Sequence, residues 1–239
     1  MQLHKIYRHL AEEVDAMHFG SPVTHVYNPL KYAQKPFEKY LEKYGAGEKH
    51  AVLLGMNPGP YGMAQTGVPF GDTASVTDWL GIRETVKKPR LENPKRPIYG
   101  FDCPRSEVSG SRLWGWAKER FKKPESFFKH FIVLNYCPLV LMEQTGKNFT
   151  PDKLKAKEKK PLFDACDRAL ALAIEATGAR HAIGIGNFAK QRLSAIQGQA
   201  EFSIGQILHP SPASPLANRG WARQAEEQLL EQGIDVFKM

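Results

Sequence analysis

The chain has 239 residues, 42% of them hydrophobic, and this is enough to bury one core, so we expect a single domain over residues 1–239. Lysine and arginine total 33 against 25 acidic residues, and the net charge of +8 makes nucleic acid the first partner to consider, with a merely solvated basic surface as the alternative. The sequence has no run of about 18 apolar residues and only three cysteines, without metal-ligand spacing, which argues against a membrane span, a disulfide framework and a zinc site.

Apolar residues recur at helical spacing in several segments. The first segment places Leu3 and Leu10 on one face, as expected of an amphipathic helix that packs on a core. Thr150, followed by Pro151, is a candidate cap residue for a later helix, in which Pro161 is a candidate break. In chain order the predicted helices cover residues 3–14, 29–45, 73–80, 111–121, 150–177, 187–196 and 218–232.

Short apolar runs predict four strands, over residues 50–54, 131–134, 181–185 and 202–208. Strands that alternate with helices favour a parallel sheet, because parallel strands need crossover helices. The predicted fold class is therefore α/β, with three α/β/α layers around a central, mostly parallel, four-stranded sheet. Two segments are predicted to lack regular structure: a glycine-rich loop at 55–72, and a surface excursion at 87–105 that is rich in proline and lysine.

Each predicted strand is followed at once by a polar or glycine-rich feature. Asn57 follows the first strand, Asn135 ends the second, Gly186 and Asn187 follow the third, and His209 follows the fourth. In open parallel sheets, ligands bind beyond the carboxyl ends of the strands. We therefore expect these features to face one ligand cleft at that edge of the sheet.

Two longer motifs resemble those of a known family. The first covers residues 55–72, Gly-Met-Asn-Pro-Gly-Pro-Tyr-Gly-Met-Ala-Gln-Thr-Gly-Val-Pro-Phe-Gly-Asp, and the second joins residues 209–212, His-Pro-Ser-Pro, to residues 218–221, Asn-Arg-Gly-Trp. With these motifs, and with residues 135–139, the chain resembles the single-strand-selective monofunctional uracil-DNA glycosylases from about residue 20 to its C-terminus. The resemblance implies a repair enzyme that flips uracil out of DNA and hydrolyses its N-glycosidic bond, leaving an abasic site, without a metal or cofactor.

The resemblance assigns the chemistry to two catalytic residues. Asn57 would position the attacking water, and because its amide is neutral and cannot take a proton, departure of the base would precede attack. His209 would donate a hydrogen bond to uracil O2, for which a neutral imidazole suffices. Main-chain N–H groups around Met56 and Asn57 would help to stabilise the departing uracil anion.

The resemblance also implies how the base is recognised. Asn135 would read the Watson–Crick edge, accepting from N3–H and donating to O4, while Phe70 would stack on the ring. Gly59 and Met63 match positions that border C5, where a bound water admits polar substituents, as in 5-hydroxymethyluracil, and excludes the methyl group of thymine. The order of preference among uracil, its 5-modified forms, hypoxanthine and xanthine stays open.

A third set of residues is expected to contact DNA. The resemblance implies that the second motif forms a wedge that fills the gap left by the flipped nucleotide. Animal members carry a basic residue where this chain has Ala213, so Leu216 or Arg219 is the candidate substitute. The proline-rich loop that precedes the wedge, with Pro210, Ser211 and Pro212, is also expected to contact DNA.

Gly186 and Asn187 open a predicted helix whose N-terminus suits a DNA phosphate. The same glycines satisfy a dinucleotide-binding pattern at residues 184–189, although the next acid, Glu201, is too near to hold a ribose. Asp72 is a candidate general base, but a cap for the helix that follows it is the favoured interpretation. The lysine-rich residues 153–160 are interpreted as a solvated helix face, with DNA backbone contact as the alternative.

A catalytically silent DNA-binding module is the alternative to an enzyme. An iron–sulfur glycosylase needs four cysteine ligands, and the chain has three; a lyase that uses a lysine Schiff base is the other rival. We expect a monomer that binds single- and double-stranded DNA and no membrane. The cysteine usage fits a reducing compartment, so the expected location is the bacterial cytoplasm, or the nucleus of a eukaryote, and not the secreted fraction.

Overall fold

The computed structural model describes residues 2–239, so that only Met1 of the predicted domain lies outside the described part. Its α-helices are, in chain order, Gln2–Asp15 (α1), Pro29–Tyr32 (α2), Gln34–Tyr44 (α3), Met63–Thr66 (α4), Val108–Phe121 (α5), Pro124–Phe128 (α6), Ala156–Thr177 (α7), Asn187–Ala195 (α8) and Trp221–Glu231 (α9). A π-helical turn at Ser75–Trp79 and 3-10 turns at Gly100–Asp102, Pro151–Lys153 and Ala217–Arg219 are also present.

The strands form two sheets. They are His25–Tyr27 (β1), Ala51–Gly55 (β2), Phe131–Asn135 (β3), Val140–Met142 (β4), Asn148–Phe149 (β5), His181–Ile185 (β6) and Ser203–Ile207 (β7). The central sheet has the order β3-β2-β6-β7 and is parallel throughout, while β1, β4 and β5 form a small antiparallel sheet. The predicted α/β fold class and its four strands are confirmed. The small sheet is not predicted, because strands of two or three residues carry too short a pattern to read.

The central sheet is covered by helices, which explains its apolar sequence. β2 and β3 are buried at every residue, as expected of parallel strands with both faces covered. Outside the sheet, α1 packs on α7, and α5 packs on α6 and α9. Helix α8 lies so close to β6 that a Cβ at Gly184 would be 2.3 Å from the backbone nitrogen of Lys190, so this glycine is needed for helix–strand packing.

The register brings the carboxyl ends of the strands together at one edge. Gly55, the last residue of β2, pairs with Asn135, the last residue of β3. On the other side, Ile185 of β6 pairs with Ile207 of β7. The loops that follow β2, β6 and β7 therefore start from the same edge of the sheet.

The predicted helix at 29–45 is divided at Ala33, whose φ of −110° and ψ of 34° are not helical. Pro36 has no N–H to donate to the carbonyl of Tyr32 four residues earlier. Lys87 N–H donates to that carbonyl instead, at 2.8 Å. The division thus depends on a segment that is distant in the sequence.

Two other helices begin later than predicted. Thr150 precedes only a 3-10 turn and makes no capping hydrogen bond through its side chain; the long helix α7 starts at Ala156. Pro161, the candidate break, lies inside α7, and the helix continues through it. The last helix starts at Trp221 rather than at 218, because Gly220 adopts a φ of +97° and ends the preceding turn. Within residues 2–239, no helix is long and apolar enough to cross a membrane.

Candidate active site

A cavity of about 330 Å³ opens beyond the carboxyl ends of β2, β3 and β7. Several residues of the predicted site line it together: Met56, Asn57, Gly59, Phe70, Asn135, His209 and Ser211. A cavity of this volume lies at the lower end of the range found for small-molecule sites and accommodates a single nucleobase. The strand-end features after β2, β3 and β7 therefore share one cleft.

The side-chain amide of Asn57 is bonded to protein through its nitrogen. Its Nδ2 donates to the carbonyl of Leu139 at 3.3 Å and to that of Pro58 at 3.5 Å. A primary amide offers donors on nitrogen and an acceptor on oxygen. With the nitrogen bonded to protein, Oδ1 is left as the acceptor of this amide for a ligand.

His209 is held in one tautomer. The main-chain N–H of Ser211 donates to Nδ1 of His209 at 3.1 Å, so Nδ1 carries no proton and the proton of the neutral ring lies on Nε2. Burial lowers the pKa of His209 below its ordinary value of 6.5, which keeps the imidazole neutral at pH 7. The ring therefore presents one N–H donor, on Nε2.

Glycine at position 186 lets the end of β6 approach His209. A Cβ at Gly186 would be 3.1 Å from the Cβ of His209, and the φ of +88° at Gly186 favours glycine in any case. Phe70 lies on another side of the imidazole, with the ring centroids 6.1 Å apart. His209 thus lies between the end of β6 and the ring of Phe70.

Phe70 has an unusual backbone for a large side chain, with a φ of +52°. A left-handed conformation costs a non-glycine residue about 1–2 kcal/mol. Its carbonyl accepts from the indole N–H of Trp114 at 3.0 Å and from the N–H of Asp72 at 2.8 Å, and these bonds hold the conformation. Gly110 leaves room for this carbonyl group, because a Cβ at position 110 would be 2.0 Å from the oxygen of Phe70.

Asn135 and Phe70 meet above Gly55. A Cβ at Gly55 would be 2.4 Å from Oδ1 of Asn135 and 2.6 Å from Cε2 of Phe70, so only glycine leaves room for both side chains. Nδ2 of Asn135 lies 3.2 Å from the sulfur of Met63, which is buried beneath it. Met63 therefore supports Asn135 and is not itself among the residues that line the cavity.

Glu107 is a cavity residue that is absent from the predicted site. It caps α5, with Oε2 accepting from Gly110 N–H at 2.9 Å, and its carboxyl group lies beside Gly59. Burial raises the pKa of Glu107, against the opposing effect of the hydrogen bonds from Gly110 and Ser109. Its sequence signal is a capping residue ahead of an apolar helix, but the helix is predicted to start at Ser111, and Glu107 lies in the unassigned residues between that helix and the surface excursion that ends at residue 105.

Asp72 has the capping role that the sequence favours. Its Oδ2 accepts from the N–H and the hydroxyl of Ser75, at 3.3 and 3.0 Å. Its Oδ1 accepts from Ser106 Oγ at 2.7 Å and from Glu107 N–H at 3.0 Å. Burial opposes ionisation of Asp72, but these hydrogen bonds outweigh it and hold the pKa of the carboxyl below its ordinary value. An acid so fully occupied is a poor general base.

Residues 42–231 match the Uracil DNA glycosylase superfamily. The chain is 45% identical to the single-strand selective monofunctional uracil DNA glycosylase of Bos taurus, over 94% of this chain and 84% of the relative. It is 45% and 44% identical to the proteins of the same description from Rattus norvegicus and Mus musculus, over 94% of this chain and 82% and 81% of theirs. The chain belongs to the family of single-strand selective monofunctional uracil-DNA glycosylases. The resemblance seen in the two motifs is thereby confirmed.

A solved structure agrees on the fold of this uracil-DNA glycosylase family member. The crystal structure of wild-type SMUG2 from Pedobacter heparinus superposes with a TM-score of 0.68, over 100% of this chain and 97% of that one, at 17% identity. At this identity the likeness bears on the fold alone. It is consistent with the three-layer architecture around the parallel sheet.

The second motif of this family member is tied to two helices. From α5, Arg112 donates to the carbonyl of Pro210 at 3.1 Å and to Oδ1 of Asn218 at 2.8 Å. From α9, the indole N–H of Trp221 donates to the carbonyl of Leu208 at 2.6 Å. These bonds fix both ends of the loop that carries His209.

The predicted DNA-contacting residues lie at different depths. Pro210 is buried and Ser211 lines the cavity. Asn187 is exposed at the N-terminus of α8, and its neighbour Gly186 contacts His209 as described above. The members of the predicted wedge that are exposed are Pro212, Leu216 and Arg219. Within residues 2–239, no group of three or more His, Cys, Asp or Glu side chains is arranged to hold a metal ion.

Proposed function

We propose that this chain excises uracil from DNA by hydrolysing the N-glycosidic bond, leaving an abasic site. One observation carries the proposal: in a member of this glycosylase family, Asn57, His209, Phe70 and Asn135 line a single cavity the size of a base. The relatives are named single-strand selective, and we extend that preference to this chain.

Recognition of the base rests on Asn135 and Phe70. The Asn135 amide accepts from N3–H of uracil and donates to O4. Cytosine has an unprotonated N3 and an exocyclic amine, so it leaves buried groups unpaired at about 1–3 kcal/mol each. Stacking of the base on Phe70 contributes about 1–3 kcal/mol more without distinguishing between pyrimidines.

Cleavage begins at the bond between N1 of uracil and C1′ of the sugar. The bonding electron pair leaves with uracil, which becomes an anion, and an oxocarbenium-like sugar remains. Nε2–H of His209 donates to O2 of the departing base, where negative charge develops. A neutral ring performs this role, since it needs only to donate a hydrogen bond.

The sugar cation is then captured by water. Oδ1 of Asn57 accepts a hydrogen bond from the water and orients its oxygen toward C1′. The amide does not take the proton; the water loses it to the uracil anion or to solvent once the C1′–O bond forms. The order of events, departure before attack, follows from having an amide where other hydrolases place a carboxylate.

We extend the substrate range to 5-modified uracils such as 5-hydroxymethyluracil. Gly59 presents backbone rather than a side chain to the cavity, and space remains beside it: the nearest neighbour of a Cβ at Gly59 would be the Glu107 side chain, at an ordinary contact distance of 3.5 Å. A polar 5-substituent, or the water it replaces, fits next to an acceptor at this position. The methyl group of thymine offers no hydrogen bond there.

The direct experiment uses single-stranded and duplex oligonucleotides that contain one uracil, incubated with the protein and then treated with alkali to cleave abasic sites. The expected result is strand cleavage only after alkali. Binding without cleavage supports the silent DNA-binding module instead. A panel with 5-hydroxymethyluracil, hypoxanthine and xanthine in both strand contexts defines the substrate range. Borohydride traps a lysine lyase on abasic DNA as a covalent complex, and we expect no such complex with this protein.

A further inference from the structure

Two arginines of the Lys- and Pro-rich excursion meet on one tyrosine of the active-site loop. Nη1 of Arg96 and Nη1 of Arg105 each donate a hydrogen bond to the phenol oxygen of Tyr61, at 2.9 and 2.5 Å. Both guanidinium groups also lie over the Tyr61 ring, 5.4 and 5.0 Å from its centroid. We refer to these three residues as the Arg–Tyr–Arg cluster.

The two positive charges of the Arg–Tyr–Arg cluster have no acidic partner. Within residues 2–239, neither guanidinium forms an ion pair, whereas nearby Arg83 is paired with Asp102 at 2.7 Å. The phenol is a neutral acceptor, so it aligns two like charges without cancelling them. Each guanidinium has five N–H donors, and most of them remain for another acceptor. Aligned, uncompensated guanidinium groups suit the oxygens of a phosphate.

The Arg–Tyr–Arg cluster lies next to the cavity wall. Tyr61 is two residues after Gly59, and Arg105 is two residues before Glu107; Gly59 and Glu107 both line the cavity. The two segments touch, since a Cβ at Gly62 would be 2.9 Å from Cγ of Glu107. Arg105 is exposed, and Arg96 and Tyr61 are partly exposed. The cluster is therefore open to a ligand at the rim of the cavity.

We propose that the Arg–Tyr–Arg cluster binds a backbone phosphate next to the nucleotide that enters the cavity. This inference rests on the proposed function, because the ligand is the DNA strand that carries the uracil. A base in the cavity brings its flanking phosphates to the rim, where two oxygens of one phosphate accept hydrogen bonds from the two guanidinium groups. Since every nucleotide carries the same phosphate, this contact holds the strand in place without reading its sequence.

The test compares two double variants that each remove two positive charges. Arg96→Gln/Arg105→Gln removes the charges of the cluster. Arg8→Gln/Arg168→Gln is the matched control, because both of its arginines are exposed on α1 and α7 and already paired with Glu38 and Glu13. The affinity of each protein for a single-stranded oligonucleotide without uracil is measured at several salt concentrations, and correct folding is checked by circular dichroism.

We expect the cluster variant to lower the slope of log affinity against log salt by about 0.7 for each arginine, and to bind roughly tenfold more weakly at low salt. Its single-turnover rate at saturating protein should stay within about twofold of the parent, since the cluster does not touch the reacting bond. The control should keep the slope of the parent. An unchanged slope in the cluster variant, or an equal loss in the control, overturns the inference.

Tyr61→Phe gives an independent measure, because it keeps both charges and removes only the oxygen that aligns them. We expect roughly threefold weaker binding with an unchanged salt slope; affinity equal to that of the parent contradicts the aligning role of the phenol. The two proposals fail differently. A parent protein that releases no uracil overturns the proposed function. An active parent whose cluster variant binds DNA with the parental affinity and salt slope overturns only the phosphate site.

Discussion

The cavity wall formed by Asn135 and Phe70, which we propose reads the base, differs in construction from the segment that follows His209. Asn135 and Phe70 are buried, with 7% and 8% of their surface exposed, and they fit together only because position 55 is glycine. Leu216, in the segment after His209, is 55% exposed. The first region is preorganised by close contacts, while the second keeps an apolar side chain in water.

This difference matches the separate tasks that we propose for the two regions. Reading a base requires donors and acceptors that are already fixed and shielded from water, because water competes for the same hydrogen bonds. Filling the gap that an extruded base leaves in the DNA requires an apolar group that projects from the protein surface. We therefore expect changes in the buried wall to reduce activity on every substrate, and changes in the exposed segment to act mainly on duplex DNA.

The largest effect is expected at the two residues that we propose act on the reacting bond. Asn57→Ala and His209→Ala should each lower the single-turnover rate of uracil release by at least about a hundredfold, because one preorganised donor or acceptor is worth this much in a shielded site. The salt dependence of DNA binding should change little. A variant that retains the parental rate removes that residue from the mechanism.

Gly55→Ala tests whether the buried wall depends on close packing. The added methyl group would overlap Asn135 and Phe70, and displacing both should lower kcat/KM on single-stranded uracil substrate at least about tenfold. Gly115→Ala on α5 is the matched control, since a Cβ there meets nothing within 4 Å, and alanine in a helix should leave activity unchanged. Equal activity of both variants would show that the wall tolerates rearrangement.

Asn135→Asp isolates the hydrogen bonds to the base. A carboxylate cannot donate to O4 of uracil and repels it, so kcat/KM should fall about tenfold. Asn148→Asp places the same charge on another side chain that lines the cavity, and separates the loss of pairing from the added charge. If the two variants lose activity equally, the charge and not the pairing is responsible.

Leu216→Ala examines the exposed segment. We expect duplex uracil excision to slow by roughly three- to tenfold, since helping extrusion offsets part of a cost of a few kcal/mol, while the single-strand rate stays within about twofold. Leu230→Ala, on α9 and 50% exposed, is the control for removing an exposed leucine. Equal slowing on both strand contexts would place Leu216 outside the wedge.

The smallest effect concerns the protonation of His209. Because burial lowers its pKa below 6.5, the unfolded chain takes up a proton at a higher pH than the folded chain does. The neutral ring therefore contributes stability that is present above about pH 6.5 and is lost as the pH falls below it. Nitrogen chemical shifts of the ring should show the proton on Nε2 at pH 7; a doubly protonated ring at that pH contradicts the prediction.

The strands and the edge that binds the ligand are predictable from the sequence for a simple reason. A parallel strand buried on both faces must be apolar along its length, so residues such as 131–134 stand out, and a polar residue directly after them marks the carboxyl end. The two motifs then identify the family. No contact between distant segments is needed for either step.

The features that the sequence does not reveal all depend on distant contacts. Ala33 divides a helix because Lys87 satisfies the carbonyl of Tyr32. Glu107 enters the cavity because Gly110 allows α5 to approach the carbonyl of Phe70. Neither pairing leaves a periodic pattern in the chain, since each joins residues tens of positions apart or depends on the close approach of two backbones.

The left-handed backbone at Phe70 has a consequence for how this chain evolves. Phe70→Gly would relieve about 1–2 kcal/mol of backbone strain, but it would also empty the space of a core ring that is only 8% exposed, at about 3–5 kcal/mol. The variant should therefore melt at a lower temperature than the parent, so selection for thermal stability retains the ring even without selection for activity. Libraries of this enzyme screened by melting temperature would be expected to keep phenylalanine at this position.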